Sequence, residues 1–184
     1  MLDNILNIYI GVGYVGIVLE GFSFRMAVIE ANKLRGTASW WTFIRRTKNA
    51  ELPVVVLEDA GALLGLCIAL AGVALAEDGV LDLHAPASTY VPYTNTKAPF
   101  EQEFTLHHLL SHTAGFATSW ADQSPYEIPG LFQAHPDEAL WADPGAIFLY
   151  SNLGYALAGT ILQEAGGSLF SDVVEDRIFA PAGM

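Results

Sequence analysis

The segment PGAIFLYSNLGYALAG (144–159) places Tyr150 and Asn152 two residues apart, just ahead of an apolar run with helical spacing. In extended backbone alternate side chains share a face, so Tyr150 and Asn152 point one way and Ser151 the other. If the stretch is half of an active site, a nucleophile for it must lie elsewhere in the chain. The same three residues also read as a helix entry, with Asn152 capping a helix over 153–165.

Other residues could carry chemistry. His112 follows Ser111 directly and has the look of a catalytic base. His107 and His108 are adjacent, so on a helix they face different ways and make no i, i+4 metal pair. His84 and His135 fall in loop-like sequence without ligand-like neighbours. Cys67 is the only cysteine and sits among apolar residues, which marks it as a packing residue. Glu20, Glu58 and Asp59 interrupt otherwise apolar stretches, where a carboxylate is costly and invites a functional reading. Asp59 has the strongest claim to a function among them. Snorkelling of Glu58 and Asp59 toward the nearer membrane face is the plainer alternative.

The elements that must position these groups fall into two unlike halves. Residues 1–76 carry six Lys/Arg and six Asp/Glu, whereas 77–184 carry only Lys97 and Arg177 against fourteen acids. The acidic half has too few cations to neutralise phosphates, so nucleic acid is excluded as a partner. No cofactor is expected. The N-terminus shows neither the positive charge nor the small-residue site of a cleavable signal peptide.

Residues 54–76 run 23 positions with only Glu58 and Asp59 charged. A helix of that length rises about 34 Å, enough to cross a hydrocarbon core of about 30 Å. Residues 5–24 form a second, weaker span. Between them lie Lys33, Arg35, Arg45, Arg46 and Lys48, with Trp40, Trp41 and Phe43 interleaved. The positive-inside rule makes the basic loop 32–50 cytoplasmic and carries the C-terminal part outside the cytoplasm. The expected localisation is thus the membrane, with the lipid bilayer and further membrane helices as partners. Two buried helices of a soluble protein are the alternative.

Beyond residue 77 the texture is that of loops and short extended pieces. FTLHHLLSHTAGF (104–116) predicts a short helix capped by Thr105 and stopped by Gly115. A long loop follows to about Pro144. GYALAGTILQEAGG (154–167) predicts an amphipathic helix ended by its Gly pair, and 169–184 a last helix stopped by Pro181.

Residues 1–75, through VLEGFSFRMAVIEANKLRG (18–36) and ELPVVVLEDAGALLGL (51–66), resemble the cation diffusion facilitator transporters. That resemblance implies a His-x-x-x-Asp pair for a zinc-type ion on the second span. Asp59 matches the aspartate, but Val55 stands at the histidine position. Residues 76–184 resemble the serine beta-lactamase and penicillin-binding family in its esterase-like branch. EDGVLDLHAP (77–86), FTLHHLLSHTAGF, PGAIFLYSNLGYALAG and IFAPAGM (178–184) occur in the family's order, with Ala114 where a serine is common.

This second resemblance implies an S-x-x-K serine and lysine, Tyr150 sharing the proton traffic, Asn152 on the substrate, and His112 in a structural turn. The substrate would be a small-molecule amide or ester. Counting back from Gly79 puts the lysine at Gly65 and the serine at Ala62, neither of which can do the chemistry. A Lys-Thr-Gly motif does not occur within the 184 residues either. The expected fold is mainly α: a two-helix membrane hairpin (1–75) joined to an incomplete, mostly helical lobe of an α/β beta-lactamase-like fold (76–184). The expected function is a beta-lactamase-related serine hydrolase fragment, inactive as this chain. The alternatives are a fragment of a cation efflux transporter, a non-catalytic membrane-anchored interaction module, or a chimera arising by recombination or misassembly near 68–77.

Overall fold

Long apolar stretches without an internal breaker dictate long helices, and the computed structural model has them. It describes residues 2–47, 51–95, 100, 102–116, 128–135 and 138–183, and it is mainly helical. Two compact units emerge, Met1–Cys67 and Ile68–Met184, with the boundary inside one helix.

The first unit contains α1 (Leu2–Arg35), α2 (Trp40–Arg46) and the first part of α3 (Glu51–Glu77). Residue 16 of α1 lies against Leu66 of α3, and Ser23 Oγ donates to Asp59 Oδ2 at 3.0 Å. Those two pairings run in opposite directions along the chain, so α1 and α3 form an antiparallel hairpin. Pro53 is accommodated in the first turn of α3, where a backbone N–H has no intrahelical acceptor. At the closed end Ala27, Ala31, Phe43 and Val56 are buried, with Trp40, Ile44 and Leu52 packed on them. Small Ala27 and Ala31, one turn apart, let α2 lie close.

The first span was expected to end at residue 24, but α1 continues to Arg35. Nothing between 25 and 35 breaks a helix, and Arg35 closes it by donating to Asn32 Oδ1 and to the Ala38 carbonyl. The stretches Gly11–Arg35 and Glu51–Glu77 are long and apolar enough to cross a membrane, with only 11% and 28% of their most apolar windows buried.

The second unit is built around α6 (Asn152–Gly166). Its Leu153, Leu157 and Ile161 recur every four residues and are buried, together with Ala158 and Leu162. Each of these leucine and isoleucine side chains contributes about 1.5–3 kcal/mol by leaving water. The end of α3 packs on this stripe. At Gly72 an added Cβ would lie 3.3 Å from Leu110 and 3.6 Å from Leu162, so the missing side chain permits the close approach. Helices α4 (Leu106–Leu110), α5 (Ile128–Ala134) and α7 (Phe170–Val174) complete the unit. Phe104 lies under an aromatic cluster, its ring 5.1 Å from Phe116 and 6.1 Å from Phe132. Asp78, just past α3, pairs with Arg177. Among the described residues there is no named strand, only isolated antiparallel bridges at Pro86–Thr105 and Phe116–Leu140.

Three local expectations need correction. The helix capped by Thr105 stops at Leu110, five residues before Gly115, because His112 takes a left-handed backbone (φ 55°). Helix α5 lies in the stretch read as one long loop; residues 117–127 and 136–137 of that stretch lie outside the described residues. Pro181 does not stop the last helix. After α7 the chain passes through a wide turn (Glu175–Phe179) into α8 (Ala180–Ala182), where proline fits a first turn, and left-handed Gly183 ends it.

Candidate active site around Tyr150

A turn at 111–116 holds the segment that bears Tyr150. Gly145 N–H donates to the Thr113 carbonyl at 2.8 Å, Leu149 N–H to the His112 carbonyl at 2.8 Å, and Ser151 N–H to His112 Nδ1 at 3.1 Å. His112 thus grips the Tyr150 segment on both sides, once by backbone and once by ring. Because Nδ1 accepts, the neutral ring carries its proton on Nε2.

The His112 ring also lies between two tyrosines, 4.5 Å from Tyr150 and 4.8 Å from Tyr155, nearly parallel to the latter. Tyr155 Oη donates to the Leu110 carbonyl at 3.1 Å, and burial, then the neighbouring Tyr150, push its pKa up, so it stays a donor. Tyr150 itself is 67% exposed. Its phenol is positioned from behind and free to meet a solute.

Ser151 has extended backbone (φ −142°, ψ 112°) and turns its Oγ inward to accept from Gly154 N–H at 3.0 Å. Ser151, not Asn152, is therefore the helix cap. Asn152 is already the first helical residue, and its exposed carboxamide is left outside the capping. The expected alternation assumes extended backbone through residue 152, whereas the extended backbone ends at Ser151; Tyr150 and Asn152 are exposed and Ser151 is half-buried.

The other candidates do different work. His108 is the third residue of a capping box: its backbone N–H donates to Thr105 Oγ1 at 3.3 Å and its Nδ1 accepts from Thr105 N–H at 3.2 Å. His84 is not without neighbours, since its ring lies 4.9 Å from that of His107, and His135 Nδ1 lies 3.6 Å from Glu138. The His84–His107 contact was not visible in the sequence, as the two are far apart along the chain. Asp59 meets Ser23, and Glu58 is exposed. Among the described residues no group of three or more His, Cys, Asp or Glu is arranged to hold a metal ion. Ala62 and Gly65 lie one turn apart on α3 and present no nucleophile or base.

Residues 66–184 match the family model described as Beta-lactamase. The chain belongs to the beta-lactamase family. It is 30% identical over 151 residues to Penicillin-binding protein 4* of Bacillus subtilis, which covers 77% of this chain and 32% of that protein. In structure it is similar to the octameric penicillin-binding protein homologue from Pyrococcus abyssi (29% identity, TM-score 0.56, 66% of this chain and 30% of that one). It is also similar to the D-amino acid amidase from Ochrobactrum anthropi SV3 complexed with D-phenylalanine (29% identity, TM-score 0.51, 66% and 34%). The chain therefore spans about a third of the length of these beta-lactamase relatives. The family match begins within α3, and residues 1–65 lie outside it.

Two histidines of this family segment use Nδ1 as a backbone acceptor, and both have pKa values lowered chiefly by burial, His108 also by His107 and His84. The unfolded side chain titrates near about 6.5. Between that value and the lower folded one, the unfolded chain binds more protons, so stability rises with pH there. The full chain in detergent is expected to hold a constant urea midpoint above about pH 6.5. The midpoint should fall on acidification and level off below the folded pKa values. The double variant His108→Gln, His112→Asn should flatten the profile. A wild-type midpoint unchanged from pH 8 to 5 would show that neither grip depends on neutral imidazole.

Proposed function

We propose that this chain is a membrane-tethered beta-lactamase-family fragment that keeps the Tyr150–Asn152 half of an acyl-transfer site and has no nucleophile of its own. The observation that carries the reading is the exposed Tyr150 phenol, held from behind by His112, beside the exposed Asn152 carboxamide. In this reading Asn152 holds the carbonyl or N–H of an amide or ester, and Tyr150 exchanges a proton with an attacking group. That attacking group is absent because Ala62 and Gly65 stand at the S-x-x-K positions. Turnover would need a serine from another chain.

The tether reading rests on the sparsely buried apolar faces of α1 and α3, including Val12, Val15, Val18 and Leu19 on the one and Val54, Leu57 and Leu64 on the other. Residues of that kind on neighbouring turns suit lipid better than water. A transporter fragment is the weaker reading: it needs a cation site, and Asp59 is joined only to Ser23 among the contacts seen. The test is to incubate the full chain in detergent with a fluorescent penicillin and separate it under denaturing conditions. No covalent band is expected. A band that disappears in Tyr150→Phe would overturn the proposed inactivity.

A further inference from the structure

The outer face of α2 carries exposed arginines beside an exposed tryptophan. Its inner face is fixed: Phe43 is buried with Ala27, Ala31 and Val56, and Trp40 and Ile44 pack on that cluster. Ser39 caps the helix by accepting from Thr42 N–H at 3.2 Å. With one side anchored, Trp41, Thr42, Arg45 and Arg46 are left exposed together on the other. Arg45 lies over the Trp41 ring at 4.3 Å. A cation stacked on an indole keeps its N–H groups free at the edge, where they can donate to phosphate oxygens.

The geometry points to α2 as a docking surface for anionic phospholipid headgroups, phosphatidylglycerol in type, on the membrane that α1 and α3 enter. The occupant follows from three features. The exposed face carries arginine without acid, so its partner is anionic. Arginine forks match phosphate bidentately. An indole 65% exposed at the end of two apolar helices suits the water–lipid boundary, where tryptophan concentrates. The inference rests on the tether reading above, and goes beyond it in specifying which lipid the surface selects.

The full chain would be reconstituted in nanodiscs of equal phosphatidylcholine and phosphatidylglycerol, with bromine quenchers carried by one lipid or by the other. The Trp41 signal is taken as the difference between wild type and Trp41→Phe. Quenching by brominated phosphatidylglycerol is expected to exceed that by brominated phosphatidylcholine about fivefold, in keeping with the attraction of one surface cation for anionic lipid. The preference should vanish in Arg45→Gln, Arg46→Gln and return in Arg45→Lys, Arg46→Lys. Equal quenching by the two lipids in wild type overturns the headgroup selection while leaving the tether intact. No quenching by either overturns the tether reading, and the selection with it.

Discussion

Phe104→Ala is expected to cost the second unit about 3–5 kcal/mol, the range for truncating a fully buried phenylalanine. Phe104 is wholly shielded from solvent, and its ring meets Phe116 edge-on at 5.1 Å and Phe132 at 6.1 Å. Its carbonyl also accepts from Ala87 N–H at 2.9 Å, beside the bridge between Pro86 and Thr105. Truncation removes the shared centre of the α4, α5 and 86–91 segments, and none of them is long enough to close the cavity by itself. A domain of ordinary stability holds about 5–15 kcal/mol, so the loss is a large part of the whole. Urea unfolding of the full chain in detergent, followed by fluorescence, measures it. Phe104→Leu should keep all but about 1.5 kcal/mol, since most of the volume remains. A loss below about 1 kcal/mol in the alanine variant would mean that the aromatic cluster is not the centre of the unit.

The parts of this fold legible from sequence were those decided within a few residues. Helix α6 was readable because its apolar residues keep a 3.6 period and a Gly pair follows; the structure ends it at Gly166, with Gly167 left-handed at φ 66°. The Thr105 cap was readable for the same local reason. The choice between Ser151 and Asn152 as the cap of α6 was not, because both are good caps and only the backbone decides which is already helical. The early stop of α4 was not readable either. A left-handed histidine is uncommon, and His112 is kept there by Leu149 and Ser151, almost forty residues on.

The site shows the same division. Tyr150 and Asn152 stand out as a spaced pair, and the family resemblance marks them. What makes the pair more than a spacing is the grip of His112, a long-range contact that no local pattern carries. His112 was assigned to a structural turn, and so it is, but the turn's purpose lies in the segment it holds. Its ring replaces a backbone carbonyl as acceptor for Ser151 N–H, and its carbonyl takes the N–H two residues earlier. An extended segment with no partner strand among the described residues thereby has its ladder supplied by one residue. That arrangement explains how Tyr150 is oriented in a unit whose described residues contain no named strand.

The same turn supplies the second large expected effect, in Gly115→Ala. Gly115 has φ +79°, a conformation that strains any residue with a Cβ. The space is closed as well: an ideal Cβ would fall 2.3 Å from the Ala142 carbonyl oxygen, which is backbone and cannot swing aside. The Gly115 carbonyl accepts from Trp141 N–H at 2.8 Å, and Phe116 bridges Leu140, so the two segments are tied where the methyl would push them apart. The strain and lost contacts together are expected to cost about 3 kcal/mol. Separation would run along the paired segments from Ala142 through Gly145 toward Leu149 and Ser151, and it would loosen His112 from Tyr150. The variant should therefore lose stability and also shift the ring resonances of Tyr150, which lies 4.5 Å from the imidazole. Gly130→Ala is the control. Its Cβ would meet nothing within 4 Å, and Gly130 lies in α5, where alanine is the better helix former by about 1 kcal/mol. If Gly115→Ala unfolds within 1 kcal/mol of wild type and leaves the Tyr150 resonances in place, the turn does not brace the site through this contact.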